Sequence, residues 1–128
     1  MKRSLTIPYC FCLLILGLLT ACQAEPQKEP DSITGYWEIK EAYRNGQQTE
    51  SLDELFFEFF ADGTMRTNIS SFPANASYEL KGNRIMQREG EMDIDYAIEQ
   101  VSDSTLTLTT NIRNFNFRFD LVKRNPQE

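Results

Sequence analysis

Phe115, Phe117, Phe119 and Leu121 alternate with Asn116, Arg118 and Asp120, and this period of two restricts the fold more than any other feature of the chain. Successive side chains of a strand leave on opposite faces, so such a run buries one face and wets the other. The same period recurs in short segments from Gly35 onward, with turn residues between them, while a 3.6-residue period is nowhere sustained. The domain that these segments build is all-β.

Individual turns fix the register. The first strand, Tyr36 to Tyr43, alternates Trp37 and Ile39 with Glu38 and Lys40 and ends at Arg44-Asn45-Gly46-Gln47. A long polar loop to Asp53 is expected next, with Ser51-Leu52-Asp53-Glu54 at the spacing of a capping box and hence a single helical turn. If Ala61-Asp62-Gly63 is a three-residue hairpin loop with Gly63 left-handed, Phe59 faces Met65, Phe57 faces Thr67, Leu55 faces Ile69, and Glu58 lies opposite Arg66. A two-residue loop would oppose Phe59 to Arg66 and mix the faces. Ser70 to Asn75, with Pro73, is irregular; Ala76 to Leu80 and Arg84 to Arg88 pair around Gly82-Asn83, which sets Leu80 against Ile85. A two-residue turn at Glu89-Gly90 would place Arg88 opposite Glu91, Met86 opposite Asp93 and Arg84 opposite Asp95, with Ile85 meeting Ile94 on the other face. The sixth strand runs to Val101, turns at Ser102-Asp103-Ser104, and returns as Thr105 to Thr110 before the last strand. Eight short antiparallel strands in sequence order predict an up-and-down barrel that closes on itself; a two-sheet β-sandwich is the alternative.

The N-terminus has a different character. Lys2 and Arg3 precede an apolar run from Ile7 to Leu19, which is shorter than the roughly 20 residues of a membrane span and reads as an export signal peptide. It ends in Leu19-Thr20-Ala21-Cys22, which resembles the lipobox of bacterial lipoproteins. That resemblance implies cleavage before Cys22, a diacylglycerol on its thiol and an acyl group on its new amino terminus. At roughly 0.8 kcal/mol per buried methylene, two or three acyl chains anchor a protein to the membrane almost permanently. Gln23 is not the aspartate that retains such lipoproteins in the inner membrane, so the resemblance implies an outer-membrane anchor, facing either the periplasm or the surface. The organisation read is a lipoprotein signal over 1–21, lipidated cysteine and polar tether over 22–32, a β domain over 33–124 and a tail over 125–128. Gln23 to Ser32 contains two prolines and no large apolar residue.

Composition then excludes whole classes of function. Residues 1–21 carry Lys2 and Arg3 and no acid, so removing them takes the net charge from −6 to −8, which disfavours nucleic acid. Cys10 and Cys12 leave with the signal and lipid consumes Cys22, so no thiol is left for a disulfide or a metal. The chain has no histidine, the commonest general base and transition-metal ligand. No catalytic set, cofactor or metal site is expected. Glu91, Asp93, Asp95 and Glu99 share one face of the sixth strand, but Arg84 and Arg88 face them, and a solvated charge ladder is the reading preferred over calcium.

Gly35-Tyr36-Trp37 matches the Gly-x-Trp that opens the first strand of lipocalins. Together with Phe-x-x-Asp-Gly-Thr over 59–64, Tyr78-x-Leu80-x-Gly82-Asn83 and Ser104-Thr105-Leu106-Thr107-Leu108, it makes residues 33–124 resemble the lipocalin-like domains of small bacterial lipoproteins. The resemblance implies a basic residue from the last strand packed across Trp37, either Lys123, which has the inward phase, or Arg124, which stacks better. The helix that usually follows a lipocalin barrel is absent.

The inward set comprises Trp37, Ile39, Phe57, Phe59, Met65, Ile69, Tyr78, Leu80, Ile85, Met92, Ile94, Tyr96, Ile98, Leu106, Leu108, Phe115, Phe117 and Phe119, with Glu41 in phase near the mouth. Two readings stand. In one the barrel is a calyx for a small apolar ligand, with Trp37, Phe57, Phe59 and Phe117 as walls and Thr67, Tyr78, Gln87, Tyr96 and Thr110 as polar contacts. In the other the side chains fill a barrel this small, and the protein is a non-catalytic accessory subunit. The second would use Phe56, Phe60 and Phe72 as an exposed patch for a protein partner, unless they are buried under the Arg44 to Asp53 loop.

Overall fold

The computed structural model describes residues 33–125. The signal over 1–21, Cys22 and its lipidation, the tether to residue 32 and the tail beyond Asn125 lie outside the described residues.

Nine strands follow one another: β1 (Gly35–Arg44), β2 (Gln47–Thr49), β3 (Phe56–Phe59), β4 (Thr64–Thr67), β5 (Ala74–Lys81), β6 (Arg84–Arg88), β7 (Ile94–Val101), β8 (Thr105–Ile112) and β9 (Phe115–Arg124). All pair antiparallel in the order β2-β1-β3-β4-β5-β6-β7-β8-β9, and β9 returns to β1. Eight strands therefore close an up-and-down barrel, and β2 is a ninth strand outside the closure. The near half of β1 pairs with β3 through Trp37↔Phe57, and its far half pairs with β2 through Ala42↔Thr49. The polar loop expected after β1 thus begins as a hairpin. Asn45 and Gly46 both take positive φ, 52° and 82°, the left-handed pair that a two-residue hairpin turn needs. Gln47-Gln48-Thr49 has no apolar residue to announce a strand. In place of a capped helical turn, residues 50–55 form two successive hydrogen-bonded turns, Asp53 N–H to the Glu50 carbonyl and Leu55 N–H to the Leu52 carbonyl, and the Ser51 hydroxyl bonds Thr49 Oγ1 at 2.9 Å.

Register holds at two of the three hairpins predicted in detail. Phe59↔Met65, Glu58↔Arg66 and Phe57↔Thr67 pair as the three-residue loop requires, with Gly63 at φ 90°. Asp62 Oδ1 accepts from the Thr64 backbone N–H at 2.9 Å and from its hydroxyl at 2.7 Å, and these bonds hold the Asp62 carboxyl below its usual pKa. Leu80↔Ile85 pair around Gly82-Asn83. The third hairpin differs by two residues: Arg84 faces Ala97, Ile85 faces Tyr96, Met86 faces Asp95 and Gln87 faces Ile94. The connection is longer than Glu89-Gly90 because the chain folds back against β5. A Cβ on Gly90 would lie 2.9 Å from Ala76 Cβ and 3.0 Å from the Asn75 carbonyl oxygen. A slip of two preserves the faces, so the inward set survives; Arg88 leaves Glu91 and reaches diagonally to Asp95 for its ion pair.

One bulge corrects another expectation. Ile39 pairs with Leu121 but Glu41 pairs with Asp120, which leaves Lys40 as the extra residue and reverses the phase beyond it. Ala42, not Glu41, faces the interior and is buried, while Glu41 accepts a hydrogen bond from the Tyr43 hydroxyl at 3.0 Å. Phe115 also leaves the expected core. It pairs with Ile112 at the tip of the β8–β9 hairpin, 44% exposed, with the Arg44 guanidinium 5.6 Å from its ring centroid.

The barrel has a closed base and an open end. At the base, the Trp37 indole N–H donates to the Ile33 carbonyl at 2.8 Å and Lys123 Nζ lies 5.4 Å from the indole. Arg124 instead pairs with Glu38 at 2.9 Å on the outer face. Gly35 stands at φ 135°, where the Lys123 side chain crosses so near that a Cβ would lie 2.5 Å from its Cε. The ladder runs once round the molecule, from β1 back to β1 through β9. Gly35→Ala should lower stability by about 1–3 kcal/mol in urea denaturation, with most of the loss persisting in a Lys123→Ala background. Full recovery there would assign the cost to the side-chain clash instead of the backbone.

Candidate functional site

Aromatic rings fill the lower barrel. Phe57 meets Tyr96 edge-on at 5.4 Å between centroids, Phe119 at 6.0 Å and Phe59 at 6.0 Å, and Phe59 meets Tyr78 at 5.1 Å. Trp37, Phe57, Phe59 and Tyr96 are at most 1% exposed. The polar candidates are satisfied within the protein: the Tyr96 hydroxyl donates to Gln87 Oε1 at 2.7 Å, Thr67 to the Phe56 carbonyl at 2.8 Å, and Tyr78 to the Phe60 carbonyl at 2.7 Å. Of the nine candidate contacts read from the sequence, seven are buried; Thr110 and Phe117 are half-buried, Thr110 on the outer face of the wall and Phe117 at the edge of an open space inside it.

That space is the mouth of the barrel, a cavity of about 330 Å³. Its apolar lining is Leu52, Ile69, Met92, Ile112, Phe117 and Phe119, with Glu91 and Arg113 at the rim. The volume falls at the lower end of the range for small-molecule sites. Ile69, Met92, Phe117 and Phe119 belong to the inward set. Leu52 and Ile112 were not singled out, because Leu52 sits in a polar turn and Ile112 beside the Arg113-Asn114 turn, where alternation gives no signal.

A second, larger concavity of about 1060 Å³ lies on the outer face across β6 to β9 and the end of β1. Arg84, Arg88, Asp93, Asp95, Asn111, Asn116 and Arg118 supply its polar groups, and Tyr43, Ala97 and Phe117 its apolar ones. Arg88 Nη1 pairs with Asp95 Oδ1 at 2.8 Å, which raises the Arg88 pKa. Glu99 accepts from the Thr109 hydroxyl at 2.8 Å. Half of the expected charge ladder is therefore present, since Arg84 faces Ala97 instead of an acid.

The three phenylalanines proposed as one patch are separated. Phe56 is 9% exposed, covered by the Tyr36 ring stacked at 5.3 Å and by Arg66 at 5.6 Å, not by the loop after β1. Phe60 and Phe72 are exposed, but Phe60 belongs to the β3–β4 hairpin and Phe72 to the loop at the other end of β4.

A closed eight-stranded antiparallel barrel with an indole-plugged base and an open mouth is the lipocalin-like architecture. Among solved structures, a lipocalin-like protein from Bacteroides uniformis shares it, with a TM-score of 0.56 and 16% sequence identity over 73% of this chain and 99% of that one. No family profile and no curated protein matches the sequence.

Burial holds the Tyr96 hydroxyl neutral far above a tyrosine's usual pKa of 10.0. Tyr96→Phe leaves Gln87 Oε1 unpaired and should cost about 1–3 kcal/mol at neutral pH. Above pH 10 the unfolded tyrosine loses its proton while the folded one keeps it, so the wild type loses roughly 1.4 kcal/mol per pH unit from this group. The deficit of the variant should accordingly narrow between pH 10 and 11 in denaturant titrations; a constant deficit would deny the linkage.

Proposed function

We propose that this protein is a lipid-anchored lipoprotein of the outer membrane whose lipocalin-like barrel carries a small apolar ligand at its mouth. The observation that supports ligand carriage is the contrast within the barrel. Ring contacts and satisfied hydrogen bonds fill the lower half, whereas the upper end keeps a cavity of about 330 Å³, lined by six apolar side chains together with Ser70, Ser71, Glu91 and Arg113, that no core side chain occupies. Phe117 is the contact retained from the candidate set; Trp37, Phe57, Phe59, Thr67, Tyr78, Gln87 and Tyr96 build the wall and floor that hold the mouth in shape.

The anchor is supported by the Leu19-Thr20-Ala21-Cys22 run. The chain enters the barrel at Ile33, beside the closed base, so a membrane anchor on Cys22 would leave the mouth at the end of the domain farther from the attachment point. The alternative, an accessory subunit docking through Phe56, Phe60 and Phe72, would need partners that read two separate exposed rings instead of one patch. A pull-down from envelope extract with Phe60→Ser and Phe72→Ser variants distinguishes it.

Native mass spectrometry of the protein recovered from a bacterial envelope should show a reproducible added mass that is lost on denaturation. Met92→Glu or Phe117→Asp should weaken binding of a fluorescent apolar probe by roughly tenfold or more while leaving far-ultraviolet circular dichroism unchanged. Unaltered probe affinity in both variants would exclude the mouth. Separately, Cys22→Ser should block metabolic labelling by an alkyne fatty acid and release the protein from sedimented membranes; labelling that survives the change would refute the anchor.

A further inference from the structure

We infer that the mouth cavity and the outer cleft are two ends of one amphipathic site, whose ligand is a single apolar chain carrying a net-neutral, hydroxyl-rich head. This rests on the reading of the mouth as an apolar ligand site and gives that ligand a chemical class.

The ladder of the barrel wall ends between the two spaces. Pairing of β7 with β8 runs from Val101↔Leu106 to Ala97↔Thr109 and stops there, although β7 continues to Ile94 and β8 to Ile112. Where the ladder would continue, a side chain bridges the seam: the Thr110 hydroxyl donates to the Asp95 carbonyl at 2.7 Å. As a result Ile94, Thr110 and Phe117, which have the inward phase, line the outer cleft. Phe117 lines the mouth cavity as well, so this one ring borders both spaces.

The two spaces differ in the residues around them. On the mouth side stand Leu52, Ile69, Met92 and Ile112, with Ser70, Ser71, Glu91 and Arg113 as the polar part of the lining; on the cleft side most of the lining is guanidinium, carboxylate, amide and hydroxyl. A purely apolar ligand would leave the cleft unused, and a purely polar one would leave the mouth unfilled.

The head follows from which polar groups are already engaged. Arg88 is paired with Asp95 and Arg118 with Asp120, at 2.8 and 3.1 Å. Arg84 and Asp93, which line the same cleft, make no ion pair or side-chain hydrogen bond among the described residues. Asn111 Nδ2 donates to Asn116 Oδ1 at 2.8 Å and keeps a second N–H. The cleft thus offers a free donor and a free acceptor together. A hydroxyl serves both, since it donates to a carboxylate and accepts from a guanidinium. An anionic head would be repelled by Asp93 and Asp95 and a cationic one by Arg84, Arg88 and Arg118. Ala97 and Tyr43 supply apolar surface for the C–H faces of a sugar-like head.

The test compares decanol, decanoate, decylphosphocholine and decyl maltoside, each below its micelle concentration, on residues 23–128 labelled with nitrogen-15. Amide signals of Met92 and Ile112 report the mouth, and those of Thr109, Asn111 and Asn116 report the cleft. Decyl maltoside should move both sets with one dissociation constant, roughly tenfold or more below that of decanol. Arg84→Gln and Asp93→Asn should each remove most of that advantage without changing decanol affinity. Equal affinity for decanol and decyl maltoside with unmoved cleft signals would overturn the inference and leave the mouth site standing. Decylphosphocholine or decanoate matching decyl maltoside would overturn the hydroxyl-rich head, and failure of all four to bind would overturn both the inference and the mouth reading.

Discussion

The pairing of β1 with β9 is the contact on which the rest of the structure depends. Without it the remaining strands form an open sheet whose two edges and one apolar face are exposed to water. With it, the Trp37 ring lies under Lys123 and Ala42 lies against Phe119. The Lys40 bulge makes this closure compatible with the sequence of β1. An unbulged strand would bring the Glu41 carboxylate to the inner face, where an uncompensated charge is costly to bury. One extra residue exchanges it for Ala42 and adds the local twist that closing a sheet requires.

Closure also explains the division of the interior. A domain of this size buries a modest share of its surface and draws its stability from one core. The base and middle accordingly hold the large rings in contact, and the hydroxyls among them are bonded within the protein. At the mouth the strands end in turns and loops, residues 50–55, 68–73 and 89–93, which do not converge enough to complete the packing. The filled core expected of so small a barrel holds for its base and middle, and the open space is confined to the mouth.

The parts legible in the sequence are those governed by nearest neighbours in the ladder. Gly63 after Asp62 set one hairpin, Gly82-Asn83 another, and alternation assigned the faces of β3, β4, β5 and most of β9. The misread parts depend on contacts that local pattern does not encode. The β6–β7 loop is long because Gly90 packs on Ala76 of a different strand, the phase of β1 changes because of its partner β9, and β2 forms on the edge of β1 with no apolar residue of its own. The choice between Lys123 and Arg124 was open for the same reason. Phase favoured the first and stacking chemistry the second, and Glu38 decided it by engaging Arg124 on the outer face.

The candidate site was half legible for a related cause. Phe117, Met92 and Ile69 follow from alternation, but the seam between β7 and β8 does not, since nothing in Ile94-Asp95-Tyr96 or Thr110-Asn111-Ile112 marks strands that part. What separates them is competition for side chains. Asp95 is drawn toward Arg88 on β6, and the hairpin formed by β8 and β9 is tied instead to the β1–β2 turn, where the Asn45 and Asn116 backbones exchange bonds at 2.7 Å and through Asn45 Oδ1 at 2.9 Å. Each strand is held by its other neighbour, and the ladder between them ends where those pulls diverge. The Thr110 hydroxyl spans the gap with a single bond in place of a ladder pair. The interrupted part of the β7–β8 ladder is therefore the part nearest Phe117, whose ring borders both the mouth and the outer face.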